Sequence, residues 1–253
     1  MRISAIPTYL FVVMATVSCA QQSKNEVESP ESIVFSTETV VDGLNNPWGM
    51  VFLPDNSILV SEKSGKLIRA INGKKTEITG LPDIYARGQG GLLDLELHPD
   101  YKNNGWLYFS YASEEGAGDG GHTAIMRAKL NGNTLTNKEL LYKASPNTTK
   151  GQHFGSRLEF DDDGFLYFSI GERGARDKNP QDLTRDGGKI YRLHDDGRIP
   201  SDNPFVGTEN AKTAAYTYGN RNPQGMLKHP ETGAIWIHEH GPRGGDEINI
   251  IKK

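Results

Sequence analysis

GSRLEFDDDGFLYFSIGERG, residues 155–174, reads as one β-hairpin. A small residue leads into a short apolar run. Asp161-Asp162-Asp163-Gly164 then breaks the run with acceptor side chains and a glycine suited to a tight turn. A second run rich in aromatic and β-branched residues follows. The triple aspartate lacks the alternating ligands and terminal Glu of an EF-hand, so it is a turn.

The same pattern occurs three more times, as WGMVFLPDNSILVSE from Trp48, GGLLDLELHPDYKNNGWLYFSYA from Gly90 and QGMLKHPETGAIWIHEHGP from Gln224. Gly49, Gly91, Gly155 and Gly225 mark the units at spacings of 42, 64 and 70 residues, with loops of varying length between them. Sustained helical periodicity is absent. Repeated hairpins at or above the roughly 40 to 50 residues of known blade repeats predict an all-β fold, a β-propeller of four-stranded antiparallel sheets, over a two-sheet sandwich. A propeller ring must close to cover its first and last faces. Four units and a strand-like DEINIIKK at the end give about four blades, and the reading expects about two further blades beyond Lys253 to complete the ring.

With 29 glycines in 253 residues and 24% charged residues, the chain is turn-rich, and no run after the N-terminus is apolar for the roughly 20 residues of a spanning helix. The net charge of -4 supplies no field to attract phosphate backbones, so nucleic acid is not an expected partner. Cys19 is the single cysteine, which excludes a disulfide framework and a cysteine zinc site. Residues 1–20 place Arg2 before an apolar run and then Ser18-Cys19-Ala20, the layout of a secretory leader. Ser18-Cys19-Ala20 reads either as a cleavage site or as a lipoprotein acceptor with Cys19 carrying the anchor. Residues 21–36 read as a polar linker and residues 37–253 as the propeller domain, exported to the periplasm or held at the outer envelope.

Four polar loops adjoin the units: ARGQGG from Ala86, KGQHFGSR from Lys150, GNRNPQG from Gly219 and HEHGPRGGDE from His238. If the units superpose, the first three precede equivalent strands and lie on one face. His153, between Gly151 and Gly155, is the candidate general base, because imidazole titrates near neutral pH. Arg157 and Arg221 are fixed cations able to polarise a carbonyl or hold an anion, and Asn222 adds a donor and an acceptor. The plain alternatives are a hydrogen-bonded loop histidine and turn-stabilising residues. Gln89 lies between glycines, where a surface turn is the bland reading. His238 and His240 have the alternation of two metal-binding imidazoles, which a half-buried strand also produces. Asp246 and Glu247 are candidate calcium ligands or exposed turn acids. GAGDGG from Gly116 satisfies a dinucleotide-binding pattern, but a strand follows it and Glu114-Glu115 precede it, so it reads as a hairpin loop.

Five strings, NPWGM from Asn46, GQGGLLDL from Gly88, GQHFGSRL from Gly151, GNRNPQGM from Gly219 and EHGPRGGDEIN from Glu239, occur in an order that resembles the soluble quinoprotein glucose/sorbosone dehydrogenase family, most closely its aldose sugar dehydrogenase branch. The resemblance covers some 200 residues. It implies a six-bladed propeller that binds pyrroloquinoline quinone (PQQ) and calcium at the channel mouth, oxidises an aldose to its lactone and passes electrons to an external acceptor. On this resemblance His153 is the catalytic base, Arg221 lies beside the developing quinone oxyanion and Asn222 is its hydrogen-bonding neighbour. Gln89 contacts the cofactor and sugar region, and Gly241 and Pro242 hold calcium through backbone carbonyls. Asp246 and Glu247 match an acidic pair near the cofactor and a structural calcium. Gln152 departs from the acidic residue that glucose-specific members carry before the histidine, which points to broad aldose oxidation. The family's basic residues that grip the quinone carboxylates fall beyond Glu247 and outside these 253 residues. A non-enzymatic carbohydrate- or protein-binding propeller, a sorbosone-type dehydrogenase and a calcium-dependent lactonase are the competing readings.

Overall fold

The computed structural model describes residues 35–253, of which residues 39–253 form one compact unit. The leader and most of the linker read from the sequence lie outside the described residues. Strands β1 (Pro47–Phe52), β2 (Ile58–Glu62), β3 (Lys66–Ile71) and β4 (Lys74–Ile78) form the first sheet. The second holds β5 (Leu92–Leu97), β6 (Trp106–Ser113), β7 (His122–Asn131) and β8 (Thr134–Lys143), with a single helical turn, α1 (Tyr101–Asn104), inside its first hairpin. The third holds β9 (Leu158–Phe160), β10 (Leu166–Ile170), β11 (Lys189–Leu193) and β12 (Ala215–Tyr218), and the fourth holds β13 (Pro223–Lys228), β14 (Ile235–Glu239) and β15 (Glu247–Ile250). All pairings within the sheets are antiparallel between sequence neighbours, and β1, β5, β9 and β13 lie side by side from sheet to sheet, as the innermost strands of a four-bladed propeller array.

Alternation along each strand builds the layers. In LYFSY of β6, Leu107 and Phe109 pack toward the first sheet, while Tyr108 between them packs toward the third. In LYFSI of β10, Phe168 joins the layer with the second sheet and Tyr167 the layer with the fourth. Successive side chains point to opposite faces, so a strand covered on both sides reads as a near-continuous apolar run. Each such buried aromatic or aliphatic side chain contributes about 2 kcal/mol, which makes every blade dependent on its neighbours.

A buried serine ties each blade to the next. Ser61, Ser110 and Ser169 occupy the same place in β2, β6 and β10 and are fully buried. Ser110 Oγ accepts from Asp94 N at 2.9 Å in its own blade and donates to Ser156 O at 2.6 Å in the next. Ser169 Oγ accepts from Arg157 N at 3.0 Å and donates to Pro223 O at 2.9 Å. Ser61 accepts from Gly49 N and donates to Leu93 O in the same manner. Opposite Gly225 in the fourth sheet the equivalent residue is His238. The register slips near the start of β1, β5 and β13, bulges that re-aim the chain as it enters each inner strand from the loops.

One expectation needs correction. Among the described residues the fourth sheet has three strands, not four, and Ile248 and Ile250 of β15 are exposed.

Candidate functional site

The four loops converge, the first three from ahead of equivalent strands and the fourth from between β14 and β15. Gln89 N donates to Gly151 O at 2.7 Å, Gly155 N to Asn222 Oδ1 at 3.1 Å, Glu172 N to Arg221 O at 2.8 Å, and Arg221 Nη1 to His240 O at 2.9 Å. His153 stands at the centre of this network with a left-handed backbone, φ 58°. Its N–H donates to Gln89 Oε1 at 2.7 Å. A glycine opposite is obligatory, because a Cβ on Gly171 would lie 2.2 Å from His153 O and 2.7 Å from Asn222 Oδ1.

His153 Nδ1 is hydrogen-bonded to Glu172 Oε1. A carboxylate only accepts, so Nδ1 carries the proton and Nε2 is left with a free lone pair. Glu172 is 2% exposed, and its Oε2 has no hydrogen-bond partner among the described residues. Such a pair fixes the tautomer of the imidazole and stabilises its charged form once it has taken a proton.

Arg221 and Asn222 are held by a second buried carboxylate. Glu239 Oε2 accepts from Arg221 N at 2.6 Å and from Asn222 N at 3.1 Å, while its Oε1 accepts from Asn220 Nδ2 at 2.9 Å. The guanidinium of Arg221 therefore projects from a fixed backbone. It borders a cavity of about 510 Å³ together with Gln152, His153, Glu172, Arg176 and Pro242. A second cavity of about 260 Å³ adjoins it, sharing Arg176, Arg221 and Pro242 and reaching His240, Gly241 and Glu247. The larger cavity is of the size that small-molecule and cofactor sites occupy.

The Arg176, Lys178 and Arg221 cations lining the cavity suit a planar anionic quinone. The cavity offers the Arg221 fork and the open His153 Nε2, and the unpartnered Glu172 Oε2 is a buried acceptor at its wall. For calcium, the described residues contain no group of three or more His, Cys, Asp or Glu able to hold a metal. Among the described residues the carbonyl oxygens of Gly241 and Pro242 accept no hydrogen bond, and they are hard oxygen donors of the kind calcium takes.

Arg157 is not at the mouth: it pairs with the buried Asp94 at 2.7 Å, lies 4.4 Å over the Trp48 ring and donates to Gln224 O, deeper between the blades. Burial raises Asp94 to about 6 even though the Arg157 cation opposes the shift. His238 and His240 border different cavities: His238 an apolar groove with Met226, Trp236 and Ile248, His240 the small mouth cavity. The side-chain carbonyl of Gln89 is taken by the His153 N–H, and Asn222, 2% exposed, joins the third and fourth blades through Gly155 N. Asp246 Oδ1 accepts from Gly241 N at 2.8 Å and closes its own loop, and Glu247 begins β15 opposite Glu239. GAGDGG and the triple aspartate are hairpin loops as expected.

Glu172, Glu239 and Arg173 were missed. Glu172 comes after the buried run of β10, whereas Glu239 is the last residue of β14 and follows the exposed His238, so both look like ordinary strand ends and only Glu172 carries the signal of an acid after an uninterrupted buried run.

A family model described as Glucose / Sorbosone dehydrogenase matches residues 44–253. Aldose sugar dehydrogenase YliI of Escherichia coli (strain K12) is 41% identical over 223 residues, 86% of this chain and 60% of that protein. Quinoprotein glucose dehydrogenase B of Acinetobacter calcoaceticus is 28% identical over 279 residues, covering 100% of this chain and 58% of that protein. The PQQ-bound form of the aldose sugar dehydrogenase from Streptomyces coelicolor superposes with a TM-score of 0.73 at 32% identity, over 85% of this chain and 62% of the other. The chain thus spans about three-fifths of the length of these relatives. With four blades in sequence order, the mouth loops meeting around His153 and the family model matched from the first strand to the last residue, the chain belongs to the glucose/sorbosone dehydrogenase family.

Proposed function

We propose that this mouth site oxidises the anomeric hydroxyl of aldose sugars to lactones with pyrroloquinoline quinone as the primary acceptor. The observation that carries the reading is the His153–Glu172 pair, whose free Nε2 borders the same cavity as the Arg221 guanidinium. Family membership and the quinone-bound relative support it.

A quinone held in this cavity would supply the hydride acceptor for the anomeric carbon. His153 Nε2 takes the hydroxyl proton as that carbon is oxidised, and Glu172 stabilises the imidazolium that results. Arg221 presents a fixed cation where negative charge builds on the acceptor, and its orientation is set before reaction by Glu239 and His240 O. The Gly241 and Pro242 carbonyls would hold calcium beside that charge. Gln152, neutral at the cavity wall, imposes no charge requirement on the sugar, in keeping with a broad aldose range. The leader-like residues 1–20 support export, with Cys19 as a lipid anchor and an external acceptor taking the electrons onward.

Dye reduction by the full gene product with PQQ, calcium and a panel of aldoses tests the proposal. Quinone-dependent turnover with several aldoses is expected. A folded protein that neither binds PQQ nor reduces dye with any sugar would replace this reading with that of a binding propeller. Quinone-independent ester hydrolysis would replace it with a lactonase.

A further inference from the structure

Arg173 is the largest fully buried side chain among the described residues, and no step above uses it. It is 1% exposed and makes no ion pair among the described residues. Instead Nη2 donates to Lys150 O at 2.8 Å and to Gly121 O at 3.0 Å, and Nη1 donates to Gln152 O. The guanidinium carbon lies 3.4 Å from the centroid of the Phe154 ring. Burial pulls the group down only to about 10, so it is a cation at neutral pH.

Three main-chain carbonyls and an aromatic face are an expensive set of partners for a buried charge. Their placement explains the choice. Lys150 and Gln152 immediately precede His153, and Gly121, at the end of the β6–β7 hairpin, is bridged to Thr148 by its own N–H at 3.2 Å. The segment 148–152 is thereby pinned to the second blade. His153 then leaves it in a left-handed conformation, which costs on the order of 1 kcal/mol in a non-glycine residue and persists only where the surroundings enforce it. Arg173 is itself left-handed, φ 57°, and directly follows Glu172. One dipeptide thus fixes the ring of His153 with its first residue and the backbone leading to it with its second.

We propose that Arg173 is a positioning residue for His153, a guanidinium clamp on the Gln152 and Lys150 carbonyls that keeps the imidazole aimed into the cavity. The proposal rests on the reading of His153 as the proton acceptor. Lysine in its place keeps the charge and three donors but not the planar fork that spans carbonyls of two loops, and methionine donates to none of them.

Arg173→Lys and Arg173→Met are compared with wild type by amide hydrogen exchange of residues 148–154 without cofactor and by steady-state dye reduction with PQQ. For Arg173→Met, exchange in that segment rises about tenfold or more while the β10 and β6 amides stay protected. The same variant loses roughly 100-fold in kcat with KM changed less than about threefold, because a misaimed base raises the barrier more than it weakens ground-state binding. Arg173→Lys falls between the two. Unchanged exchange in 148–154, or a wild-type kcat in either folded variant, overturns the clamp. If Arg173→Met does not fold, Arg173→Lys carries the test, and equal loss of protection in all sheets would show a purely structural role. A wild-type protein inactive with every sugar sinks the dehydrogenase reading, while the exchange result still decides the clamp.

Discussion

The first and fourth blades begin with nearly the same words. Asn45-Asn46-Pro47-Trp48-Gly49-Met50 enters β1 and Arg221-Asn222-Pro223-Gln224-Gly225-Met226 enters β13. In both, a buried glutamate ends the neighbouring strand and accepts from the first residue of the motif: Glu62 from Asn45 N at 2.7 Å, Glu239 from Arg221 N at 2.6 Å. In both, the proline pairs with that glutamate in register, and the residue after the glutamate donates back to the motif's asparagine carbonyl. The backbone device is the same. The differences are two side chains, Asn45 against Arg221 and Trp48 against Gln224, of which Arg221 borders the cavity, and the loop that follows, which in the fourth blade carries Gly241 and Pro242 to the cavity. The repeat builds geometry and leaves chemistry to single positions upon it.

Converting one blade to the other is the sharpest way to separate these contributions. Arg221→Asn gives the fourth blade the side chain of the first. It should keep the fold, since Glu239 holds residue 221 through its backbone N–H, and lower kcat by roughly 100- to 1,000-fold, as loss of one preorganised charge does elsewhere. Near-normal thermal unfolding together with dye-reduction rates checks both halves of that statement. Glu239→Gln and Glu62→Gln come next. Each weakens a buried acceptor and should destabilise by about 1–3 kcal/mol. Only Glu239→Gln should also reduce turnover, because only its partners border the cavity. Equal effects of the two on activity would erase the distinction between the blades.

Smaller effects belong to the strand bodies. Ser169→Ala removes one inter-blade bond and should cost about 1 kcal/mol in chemical denaturation, with activity per folded molecule unchanged. A pH effect is expected at Glu96 in β5. Burial, reinforced by the Glu159 and Asp94 carboxylates, raises its carboxyl from 4.5 to about 8. The folded protein then holds this proton more tightly than the unfolded chain does, so between those two values stability falls as pH rises. Melting temperatures at pH 5 and pH 8 should differ in that sense, and Glu96→Gln should narrow the difference.

The strand bodies were legible because alternation and burial leave their marks on consecutive residues: FLYFSI cannot be covered on both faces except as an interior strand. The serine relay was legible in principle, since ILVSE, LYFSY and LYFSI place a serine at one position, but its meaning lies in a carbonyl of the next blade that no local pattern reveals. At the mouth, His153 and Arg221 could be singled out by residue type and by motif. Arg157 could not be told from them, because a loop arginine reads the same whether it faces a ligand or a buried Asp94 some sixty residues away in sequence. Glu172 and Arg173 stood in the first stretch of sequence quoted, and their roles depend on loops that only the closed packing of the blades brings together.

The most direct test of the account compares wild type and His153→Ala for PQQ affinity and for aldose-dependent dye reduction at saturating sugar. The account predicts quinone affinity close to wild type and turnover lower by about 100-fold or more. Wild-type turnover in the variant, or loss of quinone binding in a normally folded variant, would contradict it.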